Sequence, residues 1–287
     1  MKQLYLFIEL TRLKKPIGFM LLFWPCTWGL TLAYDFSDNF DYYFFYLSLF
    51  FLGSVLMRSA GCIMNDILDR NFDKKVSRTK NRPIASGKIS VKLGLIYVFF
   101  LCFFALLVLI NFNNLIIFLA MASMPLAFSY PLMKRYTYWP QLFLGITFNY
   151  GLILGWVCIK NQIDIVALIF YLGAIFWTLG FDTIYGYQDI KDDEIIGIKS
   201  TSIKFKKNPK LFLIICYLMF IMSLILVGFF MKFNLLFYIF LSITIVHLLF
   251  YQIYNSNLKD PKNSLKIFKS NNLLGLIVLL NILIGKA

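Results

Sequence analysis

Two short acidic segments carry the residue types and the spacing that could perform chemistry. The first, at residues 65–73, reads Asn-Asp-x2-Asp-x3-Asp, so its carboxylates recur at offsets of three, four and seven and share one face of a helix. The second, at residues 185–194, has aspartates four positions apart with another aspartate between them. Carboxylates this close repel one another unless a cation lies between them, and hard oxygen ligands select magnesium or calcium. The predicted metal ligands are Asp66, Asp69, Asp73, Asp189 and Asp193, with Asn65 as a further oxygen ligand or an orienting residue.

Basic residues follow both acidic segments and indicate that the metal would bind together with a phosphate-containing substrate. Magnesium commonly bridges one or two carboxylates to the phosphates of a substrate, while basic side chains neutralise the remaining phosphate charge. The sequence therefore predicts a magnesium–diphosphate site, with Arg78, Arg82, Lys134 and Lys199 as diphosphate contacts. Two alternatives stay open: Lys134 could simply flank a membrane helix, and Asp192 could take the place of a neighbouring aspartate. Solvated loop charge is a poorer explanation, because it needs no repeated helical spacing.

Arg58 is a charged residue inside an apolar stretch, two helical turns before Asn65. A charge at that depth in a membrane is costly and usually marks a function. A planar guanidinium binds a carboxylate through two parallel hydrogen bonds. We therefore expect Arg58 to bind a carboxylate of a substrate. An internal salt bridge, for example to Asp182, is the alternative.

Membrane helices are the elements that must position these residues. Of the 287 residues, 60% are hydrophobic and only 15% are charged, which excludes ordinary soluble proteins, disordered chains and secreted disulfide scaffolds. Apolar stretches close to the ~20 residues that a spanning helix needs recur along the chain. They predict an all-α, polytopic membrane protein with nine spans, at residues 17–34, 43–64, 91–111, 114–133, 138–159, 163–185, 210–231, 234–254 and 271–285.

The basic loops predict the orientation of the chain in the membrane. The sequence has 28 Lys and Arg against 14 Asp and Glu, and its large basic loops all fall on the side of the N-terminus. Since cytoplasmic loops are enriched in Lys and Arg, we expect the N-terminus and both acidic segments to face the cytoplasm. This alternation favours nine spans over eight or ten, and it accounts for the basic excess without a nucleic-acid partner. His247 and the five cysteines lie in or beside apolar runs and lack zinc or haem spacing.

Several further strings accompany the acidic motifs, and together they resemble one known family. They are RLKKPIG at 12–18, WP at 24–25, RSAGCIMND at 58–66, NRPIASGKIS at 81–90, YPLMKRYTYWPQLFLG at 130–145, WTLGFDTIYGYQD at 177–189 and GIKSTS at 197–202. The chain resembles the UbiA superfamily of intramembrane aromatic prenyltransferases. The resemblance implies one domain over residues 1–287, with nine transmembrane helices around a central cavity capped on the cytoplasmic side by the motif loops. It also implies magnesium-dependent transfer of a prenyl group from its diphosphate to an aromatic carbon.

The strings are most similar to the branch of the family that prenylates 4-hydroxybenzoate ortho to its hydroxyl, a step of ubiquinone biosynthesis. The resemblance implies that Arg58 binds the benzoate carboxylate and that Tyr130 reaches the diphosphate together with Lys134. Asp189 is a candidate contact or base for the acceptor hydroxyl. Tyr185 and Asp182 are further predicted substrate contacts. Because an acid often stands where this chain has a lysine at position 14, and because Phe-Asn-Tyr-Gly at 148–151 departs from the expected pattern, naphthoate, homogentisate, haem or chlorophyllide acceptors stay open.

The predicted partners are polyprenyl diphosphate, 4-hydroxybenzoate and the lipid bilayer, with no obligate protein partner. A divalent-cation transporter is the alternative from another functional class, although it would not explain the basic residues after each acidic segment. The residues before the first predicted span do not have the pattern of a cleavable targeting segment. We therefore expect a multi-pass protein of a bacterial inner membrane, with its active site facing the cytoplasm.

Overall fold

The chain folds into helices connected by short turns and loops. The computed structural model describes residues 2–37, 39–254 and 256–287, and this part of the chain contains no β-strand. A 3-10 turn at Tyr130–Leu132 and a π-helix at Val246–Tyr254 interrupt the α-helical pattern. The α-helices in chain order are α1 (Lys2–Thr11), α2 (Ile17–Ala33), α3 (Phe40–Asp73), α4 (Val91–Leu109), α5 (Asn114–Ser129), α6 (Met133–Tyr136), α7 (Pro140–Lys160), α8 (Ile165–Gly186), α9 (Ile190–Ile196), α10 (Thr201–Lys204), α11 (Pro209–Phe230), α12 (Leu235–Ile245) and α13 (Pro261–Lys286).

The polytopic all-α prediction is confirmed. Among the described residues, eight helical segments are long and apolar enough to cross a membrane, and α2 is a shorter apolar helix. Each of the nine predicted spans overlaps one of these segments, and the number of segments that cross the membrane stays a prediction. Polar side chains begin most of them by accepting a backbone N–H of the first turn. The capping residues are Asn39, Ser90, Asn113, Asp164, Asn234 and Asp260.

Two helices extend beyond their predicted spans on the side that carries the acidic segments. Helix α3 has 34 residues and is therefore about 51 Å long, whereas the hydrocarbon core is about 30 Å thick. It continues through the whole first acidic segment instead of ending at residue 64. Helix α13 begins at Pro261, ten residues before the predicted 271, because Asp260 caps it and proline suits the first helical position. Hydropathy finds only the part of a helix that lies in lipid.

Close packing of α2 against α7 organises the middle of the bundle. A Cβ atom at Gly29 would lie 2.0 Å from the carbonyl oxygen of Leu152, and one at Gly155 would lie 2.3 Å from the carbonyl oxygen of Cys26. Small residues of this kind let two membrane helices approach backbone to backbone. Helix α2 also packs against α3 and α13, while α8 packs between α7 and α11. The helices that carry the two acidic segments are thereby held in one bundle.

The segments that follow α3 and α8 cover the same end of the bundle. The backbone N–H of Ser77 donates to Asp192 Oδ2 at 3.0 Å, which joins the segment 74–90 to the segment after α8. The backbone N–H of Lys199 donates to the carbonyl oxygen of Lys134 at 2.9 Å. These contacts form the cap that the motif loops were expected to supply.

Candidate active site

A polar cavity of about 860 Å³ lies beneath this cap. It is bordered by α2, α3, α7, α8 and α13 together with the two capping segments. Every residue predicted for the site lines it except Asp69 and Asp73. The predicted residues in its wall are Arg58, Asn65, Asp66, Arg78, Arg82, Tyr130, Lys134, Asp182, Tyr185, Asp189, Asp193 and Lys199.

The first acidic segment is paired with arginines. Asp66, which is only 2% exposed, accepts from Arg12 Nη2 at 2.6 Å and from Arg82 Nη1 at 3.0 Å. Arg82 Nη1 also donates to Asp73 Oδ2 at 2.9 Å. Because Asp66 and Asp73 lie two helical turns apart on one face of α3, a single guanidinium bridges them. Carboxylate and guanidinium groups therefore meet at the cavity wall, as a metal–diphosphate site requires.

Asp69 lies on the same helix but is buried behind the cavity wall. Its Oδ2 accepts from Lys134 Nζ at 2.5 Å, and Arg135 Nη2 lies 3.7 Å from its Oδ1. Within the described part of the chain, Asp69 Oδ1 accepts no hydrogen bond. Asp69 thus holds Lys134, whose side chain reaches the cavity. Its predicted role as a metal ligand stays a prediction.

The second acidic segment is held by Arg78 from the opposite capping segment. Arg78 Nε donates to Asp189 Oδ1 at 2.8 Å, and its Nη2 also donates to this carboxylate. The same guanidinium lies 5.5 Å from the ring centroid of Tyr185 and donates to the tyrosine hydroxyl at 3.3 Å. Burial, and then the negative charge of Asp189, raise the pKa of Asp193 to about 6. Asp192 is not among the residues that line the cavity, and its carboxylate accepts the backbone N–H of Ser77 in the segment 74–90.

Arg58 lies deeper, on the membrane side of the acidic segments. Its guanidinium carbon is 5.0 Å from the ring centroid of Phe148, and a Cβ atom at Gly18 would lie 2.8 Å from its Nε. This nitrogen is buried and has no hydrogen-bond partner among the residues that the structure describes. The alternative of an internal salt bridge to Asp182 is not what the structure has, since no ion pair joins the two side chains.

A second, apolar cavity of about 220 Å³ meets the polar one at Arg58. Arg58, Tyr130 and Phe148 line both cavities. The apolar cavity follows α3 from Gly61, past Arg58, to Leu49, a distance of about 18 Å at 1.5 Å per residue. Its wall comes from α2, α3, α4, α5 and α7. The site therefore joins a charged compartment to a long hydrocarbon-lined one.

The model of the UbiA prenyltransferase family matches residues 22–275 of the chain. The chain belongs to the UbiA prenyltransferase family. The resemblance that the sequence motifs indicated is confirmed. For a UbiA-family member, a site that combines acidic, basic and hydrocarbon-lined surfaces has an immediate chemical meaning.

Individual relatives agree with the family assignment. The chain is 45% identical to the mitochondrial 4-hydroxybenzoate polyprenyltransferase of Bos taurus, an alignment that covers 97% of this chain and 75% of that one. It is 41% identical to 4-hydroxybenzoate geranyltransferase 2 of Lithospermum erythrorhizon, with 99% of this chain and 92% of that one covered. A UbiA homologue from Archaeoglobus fulgidus, solved with GPP and Mg2+, superposes with a TM-score of 0.70 at 17% identity over 98% of both chains. That last likeness establishes the fold.

The donor set of this UbiA-family site fits a magnesium ion shared with a diphosphate. In the described part of the chain, no three His, Cys, Asp or Glu side chains converge closely enough to hold a metal by themselves. Magnesium does not need such a cluster, because it commonly takes one or two carboxylates together with substrate phosphates and water. Carboxylates of Asp66, Asp189 and Asp193 face the polar cavity beside the amide of Asn65. These oxygen donors are the groups that would hold the ion.

Sequence reasoning missed Arg12 as a residue of the site. Arg12 was not among the predicted site residues, yet it binds Asp66 and lines the polar cavity. The available signal was its place at the start of the RLKKPIG string. Its backbone φ of +58° turns the chain between α1 and α2 and aims the side chain at α3. Phe148 was noted only as a departure from the family pattern, whereas its ring lies against Arg58.

Proposed function

We propose that this protein transfers a polyprenyl group from polyprenyl diphosphate to 4-hydroxybenzoate, at the ring carbon ortho to the hydroxyl, as a step of ubiquinone biosynthesis. The observation that carries the proposal is the junction of a charged cavity and an apolar cavity at Arg58. A polyprenyl diphosphate has the same division into a charged head and a hydrocarbon tail. The bovine and plant relatives, named as 4-hydroxybenzoate prenyltransferases, support the choice of acceptor.

The polar cavity binds the diphosphate. Its oxygens are contacted by Arg82, Arg78 and Lys134. Each of these side chains lines the cavity and is held in place by an ion pair with an aspartate. Lys199 and Tyr130, which also line the cavity, complete the predicted contacts. Bound magnesium would supply further positive charge for the departing diphosphate and would be held by the cavity-facing carboxylates. Preorganised charges of this kind stabilise a leaving group without rearranging during the reaction.

The apolar cavity binds the isoprenoid and keeps water from the reacting carbon. Allylic diphosphates ionise because the resulting cation is delocalised, and excluding water prevents its capture as an alcohol. The scissile carbon–oxygen bond lies at the junction of the two cavities, where the diphosphate leaves with the bonding electrons. The rings of Phe148 and Tyr130 border this point and offer π faces to the cation.

Arg58 binds the carboxylate of the acceptor. Its guanidinium faces the polar cavity without an ion-pair partner in the described chain, and its carbon lies 5.0 Å from the ring centroid of Phe148. A planar carboxylate satisfies such a guanidinium through two parallel hydrogen bonds. The acceptor ring is then placed beside the junction where the cation forms.

The proposal also includes the membrane in which the protein works. The basic residues of the segments 74–90 and 199–210 favour a cytoplasmic position for the capped end. We keep the bacterial inner membrane as the expected location, although the bovine relative is named as mitochondrial.

A membrane assay tests the proposed reaction. The protein is incubated with magnesium, geranyl diphosphate and, in separate reactions, 4-hydroxybenzoate, a dihydroxynaphthoate or homogentisate. We expect a prenylated product only from 4-hydroxybenzoate, lost in Asp66→Ala and kept in Asp41→Ala, whose exposed carboxylate begins the same helix far from the cavity. Product from another acceptor alone would refute the proposed substrate. No product with any acceptor, and no effect of Asp66→Ala on metal flux into liposomes, would refute both enzyme and transporter.

A further inference from the structure

Asp182 precedes the second acidic segment in the sequence much as Arg58 precedes the first. Arg58 comes eight residues before Asp66, and Asp182 comes seven residues before Asp189. Arg58 is therefore about two helical turns, or about 12 Å, from Asp66 along α3. Asp182 lies in the last two turns of α8, which ends at Gly186, and a short turn leads from there to Asp189. Both side chains line the polar cavity. A cation and an anion thus face one space from two different helices.

Neither of these charges is neutralised by the other through an ion pair. Across the described ranges, the carboxylate of Asp182 takes part in no hydrogen bond and no salt bridge, and Arg58 forms no salt bridge either. A carboxylate inside a membrane protein is costly and usually marks a function. Two unpaired opposite charges on one cavity suit a ligand that carries a negative group at one end and a hydrogen-bond donor at the other.

The aspartate that follows α8 is already engaged. Asp189 is bound at both carboxylate oxygens by Arg78, next to Tyr185 and close to the diphosphate contacts. A carboxylate in that place serves the charged head of the donor substrate. Asp182 has no such partner and lines the same polar cavity as Arg58, the residue proposed to bind the acceptor.

We propose that Asp182 is a catalytic residue that accepts the hydroxyl hydrogen of the aromatic acceptor, while Arg58 binds the carboxylate at the other end of the ring. The inference rests on the proposed function, because it assumes a para-hydroxybenzoate in the cavity. It assigns to Asp182 the contact that the sequence assigned provisionally to Asp189. The acceptor is thereby held between α3 and α8 by its two polar ends.

The contact matters at the moment of bond formation. The ring carbon ortho to the hydroxyl supplies the electron pair for the new carbon–carbon bond, and the carbon–oxygen bond of the donor breaks with its pair leaving on diphosphate. Positive charge then develops on the ring and its hydroxyl oxygen, and the hydroxyl proton passes to Asp182. Loss of the ring proton restores aromaticity, and the oxygen recovers its proton from Asp182. One proton and one diphosphate are released for each prenyl group transferred.

Asp182→Asn tests the inference, with Asp164→Asn as the matched control. Asp164 caps the opposite end of the same helix by accepting the N–H of Val166 at 2.9 Å, and asparagine caps equally well. We expect Asp182→Asn to lower kcat with 4-hydroxybenzoate by about 100-fold, the size typical of a lost general base. Inhibition by benzoate, which needs Arg58 and lacks the hydroxyl, should stay within threefold. Asp164→Asn should change neither quantity.

Two results would overturn the inference. If Asp182 only balances the charge of Arg58, Asp182→Asn would bind benzoate more tightly and keep its kcat. If Asp182 only shapes the cavity, benzoate binding and turnover would disappear together. Should Asp182→Asn fail to fold, Asp182→Glu serves instead: a displaced carboxylate should lower kcat with benzoate binding intact, and an unchanged kcat would refute the role. A wild-type protein that cannot prenylate 4-hydroxybenzoate would instead refute the proposed function.

Discussion

At the scale of single residues, the acidic motifs do two kinds of work. Asp66 and Asp189 face the polar cavity, whereas Asp69 is buried with Lys134. The first motif therefore supplies one carboxylate that faces the cavity and another that holds Lys134. The repeated spacing predicts that the carboxylates share a helical face, but it does not predict which carboxylate pairs with which Arg or Lys side chain. That choice depends on where α6 and the capping segments meet α3.

Removal of Lys134 should separate its structural and functional contributions. Lys134→Met leaves the carboxylate of Asp69 buried without its closest cation, so we expect a loss of about 3 kcal/mol in the free energy of unfolding and a lower Tm. Adding Asp69→Asn should restore most of the stability, because the buried charge is gone. Prenyl transfer should stay low in both proteins, since Lys134 no longer reaches the diphosphate. Thermal unfolding in detergent and the transfer assay measure the two effects. Full activity in the double variant would show that Lys134 has only a structural role.

At the scale of elements, the capping segments are joined by a specific contact. Asp192 accepts the backbone N–H of Ser77 and so connects the segment after α3 to the start of α9. The sequence left Asp192 as an alternative metal ligand. Its place in the structure favours a structural role, in which Asp192 connects two segments that both line the polar cavity.

Asp192→Ala should weaken binding of the prenyl diphosphate without stopping the chemistry. A lost charge-assisted hydrogen bond at this exposed position should raise KM for the diphosphate by about tenfold, or about 1.4 kcal/mol. Ser77→Pro, which removes the donor N–H from the other side, should have the same effect. Steady-state kinetics over a range of diphosphate concentrations separates KM from kcat. A large fall in kcat with an unchanged KM in Asp192→Ala would return Asp192 to the metal ligands.

At the scale of the whole molecule, the last helix completes the bundle around the first spanning helix. Lys286 at the end of α13 donates to the carbonyl oxygens of Thr31 and Leu32, both at 3.1 Å, and to that of Tyr34. These carbonyls lie at the C-terminal end of α2, where a positive charge is favoured. The contact fixes α2, and α2 in turn packs on the helix of Arg58.

Lys286→Met should therefore reduce the stability of the whole bundle. It removes hydrogen bonds to three carbonyl groups and keeps most of the apolar side chain, so we expect a loss of about 2 kcal/mol. Lys262→Met, at the exposed start of the same helix, is the control and should leave the Tm unchanged. Thermal unfolding of both variants in one detergent gives the comparison. Equal Tm values would mean that the C-terminal contact does not stabilise the protein.

Hydropathy and spacing predicted most of the architecture, because lipid imposes the length of a spanning helix and three or four residues return to one helical face. They failed where helices leave the lipid, as in the 34-residue α3. They also did not identify Arg12 as a residue of the site. A basic residue before a spanning helix is expected simply to flank that helix, and only the structure shows that Arg12 pairs with Asp66. The absence of an ion pair between Arg58 and Asp182 could be seen only in the three-dimensional arrangement, since the sequence places both residues just before an acidic segment.

The central claim is that Arg58 selects the acceptor by its carboxylate, and substitution of Arg58 by glutamine tests it most directly. KM and kcat are measured with 4-hydroxybenzoate and with 4-methylphenol, which has the hydroxyl but no carboxylate. Arg70→Gln, an exposed arginine on the same helix, is the control. We predict that Arg58→Gln raises KM for 4-hydroxybenzoate by about 100-fold and leaves the use of 4-methylphenol unchanged, because only the first acceptor loses a charge-assisted contact worth about 3 kcal/mol. An equal loss with both acceptors, or no loss with either, would contradict the account.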